Sequence, residues 1–319
     1  MDSRRRTALR LVTAPATADP TPAIGAVDLL PGRIRAALLD MGGAFLRRSE
    51  VPYPAASVAP REFAALLGRA VRECFGARRP CGIGIAAAGL VDPATGVILE
   101  VNDVPGLRGY PVAEVLTGLT GLPVHIEHRA RVQVMGDRWF GPGRGRASFA
   151  SVATGEVLGV GILYEGRVLA PPGGRSGAHM TVAASGRACT CGARGCWKTV
   201  ATDGWLRERA AALGLPPGTG VGALAAAAGR GGAAAALLDE YAANLALGLA
   251  NVQQLCAPGL FVLHGGARGG GERLRAGIES RLRDAASGTG APAPEVRFSE
   301  ETGDDAALLG GAGLVLSEA

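Results

Sequence analysis

No stretch of this 319-residue chain reaches the about 18–20 consecutive apolar residues that a membrane span needs, so no membrane partner is expected. Charge is also sparse. Only 19% of residues are charged against 48% hydrophobic, which excludes a chain held unfolded by its own charge and leaves a globular protein. The 50 glycines carry no collagen-like period and fall in scattered turns. Part of the Ala, Gly and Arg excess reflects a GC-rich genome and carries no functional signal. The net charge of +5 is dispersed, its densest run being Arg4-Arg5-Arg6, so no nucleic-acid partner is expected. Ala8-Leu9-Arg10-Leu11-Val12 imitates the start of a signal peptide, but Arg10 interrupts it and the run is too short for export. A cytoplasmic location follows. The six cysteines do not oppose it, because three crowd into one metal-like motif.

What is present reads as an α/β chain. Residues 1–22 form an extension rich in Arg, Thr, Pro and Ala. Ile24–Asp28 and Ile34–Leu39 read as a hairpin turned at Pro31-Gly32. Helical spacing covers Arg61–Phe75, Val112–Leu119, Ala233–Cys256, Glu272–Ala285 and Asp305–Leu316. Strands are expected at Cys81–Ala88, Leu122–Glu127, on both sides of Thr154-Gly155-Glu156, and at Leu260–Leu263 before Gly265-Gly266. The theme of hairpin, helix and strand occurs twice, which implies two similar halves around a cleft, with ligands at strand ends and Gly-rich loops.

The sharpest local signal is His179 followed by Cys189, Cys191 and Cys196, an H-x9-C-x-C-x4-C spacing. Three thiolates and one imidazole make a closed tetrahedral shell for a structural Zn²⁺, with no open position for Lewis-acid chemistry. Gly192 and Gly195 permit the tight turns between the ligands. Cys74, Cys81 and Cys256 read as buried apolar residues.

Cys189–Cys196 resembles the CxCGxxGC signature of the ROK family. The resemblance continues through Gly82-Ile83-Gly84-Ile85, Gly89-Leu90-Val91-Asp92, Gly96, Pro105-Gly106, Leu122-Pro123-Val124, Glu127, Gly159-Val160-Gly161 and Gly265-Gly266, and so spans nearly all the chain after residue 22. It implies an α/β, two-lobed actin/hexokinase-like fold with ribonuclease-H-like halves around a cleft. The implied divisions are a smaller lobe at 23–120, a larger lobe at 121–304 with a zinc loop at 179–198, and a C-terminal helix at 305–319 packing back on the smaller lobe. The family's kinases phosphorylate hexoses and amino sugars with ATP and Mg²⁺, and its repressors add a DNA-binding helix-turn-helix. With about 22 residues ahead of the first strand, no such module is expected here. By analogy with the family, the chain is expected to form a homodimer or tetramer.

Against the family's motifs the chain departs at its chemistry. The first phosphate loop, DxGGTK, is Asp28-Leu29-Leu30-Pro31-Gly32-Arg33, and the second, GTGIGAG, is Gly155-Glu156-Val157-Leu158-Gly159-Val160-Gly161. A Glu156 carboxylate facing a triphosphate would repel it by on the order of a few kcal/mol. NDAN, whose Asp takes the sugar hydroxyl's proton, is His128-Arg129-Ala130-Arg131, and a guanidinium cannot act as a base. The sugar-holding carboxylates of GExGH and GCxE fall at Ser176 and Lys198, and NLxGW places Asp103 at its Asn and Leu107 at its Trp.

These replacements lead to the expectation of a protein that has lost kinase activity, with no need for ATP or Mg²⁺. It would be an acid/base lyase or cyclase of bacterial secondary metabolism, acting on an anionic or enolisable small molecule by dehydration and conjugate addition. Its catalytic residues would be His128 as a base kept neutral by Arg129, Arg129 or Lys198 as enolate stabiliser, and Asp103 or Glu127 as second proton carrier or orienting group. Glu127, Arg131, Arg175 and Glu156 would contact substrate. The alternative is a non-enzymatic ligand sensor acting through a partner protein. Simpler roles stand beside these: His128, Arg131 and Arg175 as surface groups, His125 turned outward from its strand, Asp28 as a turn cap, and His264 as a contact in the nucleotide half.

Overall fold

The computed structural model describes residues 21–101, 103–170, 176–286, 292–301 and 305–318. The extension expected at 1–22 lies outside them except for Thr21 and Pro22. The elements run β1 (Ala23–Leu30), β2 (Arg33–Asp40), β3 (Phe45–Pro52), α1 (Pro60–Phe75), β4 (Ile83–Ala87), β5 (Leu90–Asp92), β6 (Val97–Glu100), α2 (Val112–Thr120), β7 (Val124–His128) and α3 (Arg129–Trp139). They continue as β8 (Phe149–Thr154), β9 (Gly159–Tyr164), β10 (Arg167–Val168), α4 (Asp203–Ala212), α5 (Val221–Ala228), α6 (Gly232–Cys256), β11 (Leu260–Gly265), α7 (Gly271–Ala286), β12 (Glu295–Phe298) and α8 (Asp305–Glu318).

Two five-stranded sheets share one topology. The first has the order β3-β2-β1-β4-β7 and the second β10-β9-β8-β11-β12. In each, a three-stranded antiparallel meander is joined by two parallel strands: β1–β4–β7 in the first and β8–β11–β12 in the second. This is the twofold α/β architecture that the repeated pattern implied. The hairpin turn falls at Pro31-Gly32, where Gly32 has φ +81°. β3 goes unread in the sequence because its Phe-Leu-Arg-Arg-Ser-Glu run is that of a charged edge strand, with no apolar alternation.

β1 is buried on both faces. Val27 and Leu29 join the cluster formed with Phe63, Leu67 and Val71 of α1. Ile24 and Ala26 point the other way, onto Leu308, Leu309 and Ala312 of α8. Asp28 has the parity of Ile24 and Ala26, so it projects into the interior. α8 lies on β1 and β4, whereas α3 lies on β8 and β9, and the two helices pack against each other. They therefore form the layer between the sheets, and α3, which follows β7 without a break, brings residues 129–137 to that layer. The second sheet's outer face is covered by α4–α7 around Tyr241, Leu245, Leu249 and Phe261.

No helix of the described residues is long and apolar enough to cross a membrane. Cys74 is buried as expected, but Cys81 is exposed and Cys256 half-buried, because each stands at or beyond an element's end where the packing stops.

Candidate functional site

Three groups of side chains carry chemistry. The first lies where β1, β7 and α3 meet. Arg129 is the first residue of α3, and its Nε donates to Asp28 Oδ1 at 3.0 Å. Arg35 on β2 reaches Asp28 Oδ2 at 3.4 Å and Asp305 Oδ1 at 3.2 Å, while Arg48 reaches Asp305 Oδ2 at 2.9 Å. Asp28 is fully buried, so a chain of alternating charges crosses from β3 through the sheet to α3. Asp28 is thus an ion-pair centre, and not the turn cap offered as its simpler role. Its guanidinium partners Arg129 and Arg35 donate to its two oxygens.

His128 is the N-cap of α3. Its Nδ1 accepts the Ala130 N–H at 3.2 Å, while Glu127 Oε1 accepts the His128 N–H at 2.5 Å. Burial first, then the charges of Arg131 and Arg129, push the imidazole down from its ordinary 6.5 to about 4. The residue is therefore neutral, but the nitrogen that lacks a proton is already used as a helix cap. Arg131, offered as a surface charge, is buried, its Nε bonded to Glu127 Oε1 at 2.8 Å. Lys198 sits in the helical turn Trp197–Thr199, and its Nζ donates to Thr190 Oγ1 at 3.3 Å, toward the cysteine loop. Asp103 is exposed, with φ +68°, on the loop after β6. Arg175 lies outside the described residues.

The second group stands at the ends of the parallel neighbours β8 and β11. Gly155 follows β8, and Gly265-Gly266 end β11, with Thr154 opposite Gly265 in register. Close approach demands Gly265, where a Cβ would lie 2.0 Å from Thr154 O, and backbone conformation demands Gly155, at φ +136°. Thr154 Oγ1 donates to His264 O and accepts the Ala267 N–H, which ties the two strand ends together. Glu156 does not stand as a bare charge. Arg207 clasps it with two bonds of 2.5 and 2.9 Å, which offsets part of the repulsion expected toward a phosphate. Asp203, the first residue of α4, joins the same corner, its N–H on Gly155 O at 2.8 Å. Neither Asp203 nor Arg207 is singled out by sequence spacing; a Thr-Asp pair opening a helix is the only signal they give. His264 turns its ring to α3, where Nε2 meets Asp137 Oδ2 at 2.7 Å, and Ser151 donates to the same oxygen. This buried trio spans 127 residues of chain and leaves no local pattern to read.

The third group is His179, Cys189, Cys191 and Cys196, whose ligand atoms all lie within 4.8 Å of one another and could hold a metal ion. Cys191 and Cys196 sulfurs are 3.7 Å apart, and Cys189 Sγ is 3.5 Å from His179 Nδ1. Tetrahedral zinc with bonds of about 2.3 Å separates its sulfurs by about 3.7–3.8 Å, so the donor set fits. Gly192 and Gly195 adopt φ +88° and +70° as the turns require, and Trp197, fully buried, anchors the loop to α6 through a 2.8 Å bond to Asn244 O.

Comparison with known proteins corrects the functional expectation. The glucokinase of Halalkalibacterium halodurans is 30% identical over 251 residues, covering 73% of this chain and 76% of that protein. The glucokinase of Thermotoga maritima is 27% identical over 252 residues, covering 73% and 78%. Among solved structures, a ROK hexokinase from Thermus thermophilus superposes with a TM-score of 0.75 at 28% identity, covering 93% of this chain and all of that one. A ROK family glucokinase from Streptomyces griseus, in complex with glucose and AMPPNP, superposes with 0.73 at 26% identity, covering 92% and 98%. These kinase relatives overturn the reading of a lyase, a cyclase or a protein that has lost kinase activity, and the sensor alternative gives way with it. The geometry supplies a reason. Arg129 and Arg131 are held by carboxylates, Lys198 is turned to the cysteine loop, and His128 caps a helix, so these residues do not converge as a cationic, enolate-stabilising pocket. The ROK family profile matches residues 24–318, and the chain belongs to the ROK family.

Proposed function

We propose that this chain is a ROK-type sugar kinase, which transfers the terminal phosphoryl group of a nucleoside triphosphate to a hydroxyl of a hexose or amino sugar in the cleft between its lobes. The observation that carries the reading is the match to glucokinases along three quarters of the chain, joined to the two glycine turns at the parallel ends of β8 and β11. Phosphoryl transfer proceeds through a loose transition state in which positioning and charge stabilisation dominate, so the acceptor proton need not leave early. Asp28, Glu127 and Asp137 are committed to Arg129, Arg131 and His264. We assign that proton to Asp103, exposed on the loop after β6 at the place of the Asn in the family's NLxGW motif. In this reading the smaller lobe, expected at 23–120, runs on through β7, which completes the first sheet, and takes back the C-terminal helix α8; the enzyme works in the cytoplasm, and it assembles as a homodimer or tetramer.

The metal of the cysteine loop is Zn²⁺ in this reading, supported by the three sulfurs and one imidazole and by their spacing. His179, Cys189, Cys191 and Cys196 would hold it. A closed shell of this kind braces the segment between β10 and α4 and takes no part in the transfer.

The test is ADP release from Mg-ATP by the purified chain with glucose, mannose, N-acetylglucosamine or N-acetylmannosamine. Sugar-dependent turnover, lowered at least about tenfold by Asp103→Asn, is expected from the loss of a positioned base. Absence of turnover with every one of these sugars refutes the reading.

A further inference from the structure

The carboxylate of Asp203 has no role in any group described so far. It lies at the corner where both glycine turns meet: a Cβ on Gly266 would sit 3.2 Å from Asp203 Oδ1, and one on Gly155 would sit 3.7 Å from Oδ2. Among the described residues no hydrogen bond or ion pair reaches these two oxygens. Arg207, one turn along α4, is the adjacent cation, but both of its terminal nitrogens are spent on Glu156. Burial, and then the Glu156 charge, push Asp203 up from its usual range, with Arg207 opposing. Beside it Tyr241 is fully buried, keeps a hydroxyl without a partner, and is pushed up first by burial and then by the Asp203 charge. The fold thus holds a half-buried acceptor with open lone pairs against two turns that lack side chains.

Ligands of α/β sheets bind outside the carboxyl ends of parallel strands, and β8 and β11 end at this corner. Glycine turns let a ligand approach the backbone, and a carboxylate beside such a turn is the group that recognises ribose hydroxyls in dinucleotide-binding folds. A phosphate set directly against Asp203 would be repelled, since Arg207 is spent on Glu156, whereas a hydroxyl donor would satisfy the open lone pairs.

We propose that Asp203 is a specificity-determining residue that accepts hydrogen bonds from the ribose hydroxyls of the nucleotide, so that the chain discriminates ribonucleotides from deoxyribonucleotides. The proposal rests on the reading of a nucleoside triphosphate as phosphoryl donor. A hydrogen bond to a charged acceptor is worth about tenfold or more in affinity.

The experiment is calorimetric titration of the full chain with the magnesium complexes of ATP, 2′-deoxy-ATP and 3′-deoxy-ATP. For the unaltered protein, at least one deoxy analogue should bind about tenfold or more weaker than ATP. In Asp203→Ala, with an unchanged melting temperature, ATP should fall to the affinity of that analogue and the discrimination should vanish. Equal affinity of the unaltered protein for all three nucleotides overturns the role of Asp203 and leaves the kinase reading standing. So does an equal weakening of all three in the variant. If ATP itself does not bind, the donor half of the kinase reading falls, and this proposal falls with it.

Discussion

His128 illustrates how a single residue can be chemically legible and still be misassigned. That neighbouring arginines lower its pKa follows from the sequence. That burial is the larger cause, and that Nδ1 is consumed by the Ala130 N–H, depends on the packing of β7 and α3. A folded pKa of about 4 against an ordinary 6.5 means that the unfolded chain takes up a proton there that the folded chain refuses. This contribution to stability is whole above about pH 6.5 and is lost as pH falls toward about 4. Melting temperatures measured across that window should therefore decline on acidification, and His128→Asn, which can still cap the helix, should flatten the decline. If the variant keeps the full slope, His128 is not the group responsible. Arg129 makes a separate case. Removing it by Arg129→Met takes one guanidinium away from buried Asp28, and should cost about 1–3 kcal/mol in urea unfolding. A neutral result would mean that Asp28 is satisfied without it.

At the scale of elements, α8 shows what periodicity cannot reveal. Ala306 through Val315 are buried without interruption, so the helix has no polar stripe and is enclosed on every side. Its glycines are what permit this. A Cβ on Gly310 would lie 2.5 Å from Val132 O of α3, one on Gly313 would lie 2.5 Å from Met135 O, and one on Gly311 would lie 2.6 Å from Gly84 O of β4. In the sequence, Gly-Gly-Ala-Gly reads as compositional excess; in the fold these residues let a helix touch a strand and a second helix backbone to backbone. Gly84→Ala, whose added carbon would stand 1.9 Å from Gly311 O, should destabilise by more than about 2 kcal/mol. Gly118→Ala on α2, with nothing within 4 Å, should instead stabilise by about 0.5–1 kcal/mol. Denaturant midpoints for the pair check both signs in one experiment. The hairpin of β1 and β2, the long α6 and the strand before Gly265 were legible because each follows one period or one turn signal. β3, α3, α4 and β12 were not, because their charged or short segments owe their form to neighbours.

For the whole molecule, the cysteine loop is the cluster whose members were all named from the sequence, since their close spacing is local, and the fold brings the four together as a group that could hold a metal ion. Elemental analysis should find about one zinc per chain, and stripping it with a strong chelator should lower the melting temperature while the two sheets persist in circular dichroism. A metal-free protein with unaltered melting would remove the loop from the list of stabilising parts. The relation of the two halves was also legible, as a repeated order of hairpin, helix and strand, and the two sheets repeat that order strand for strand.

The sequence by itself determined the family, the α/β repeat and the grouping of His179 with Cys189, Cys191 and Cys196, because turns, periods and close spacings are properties of neighbours along the chain. The tertiary structure alone decided which charges are engaged. Arg131 on Glu127, Arg129 on Asp28, Arg207 on Glu156 and His264 on Asp137 are pairings set by how strands and helices dock. A charge read in isolation predicts attraction for whatever ligand comes near; once paired and desolvated, it acts mainly on the residue beside it.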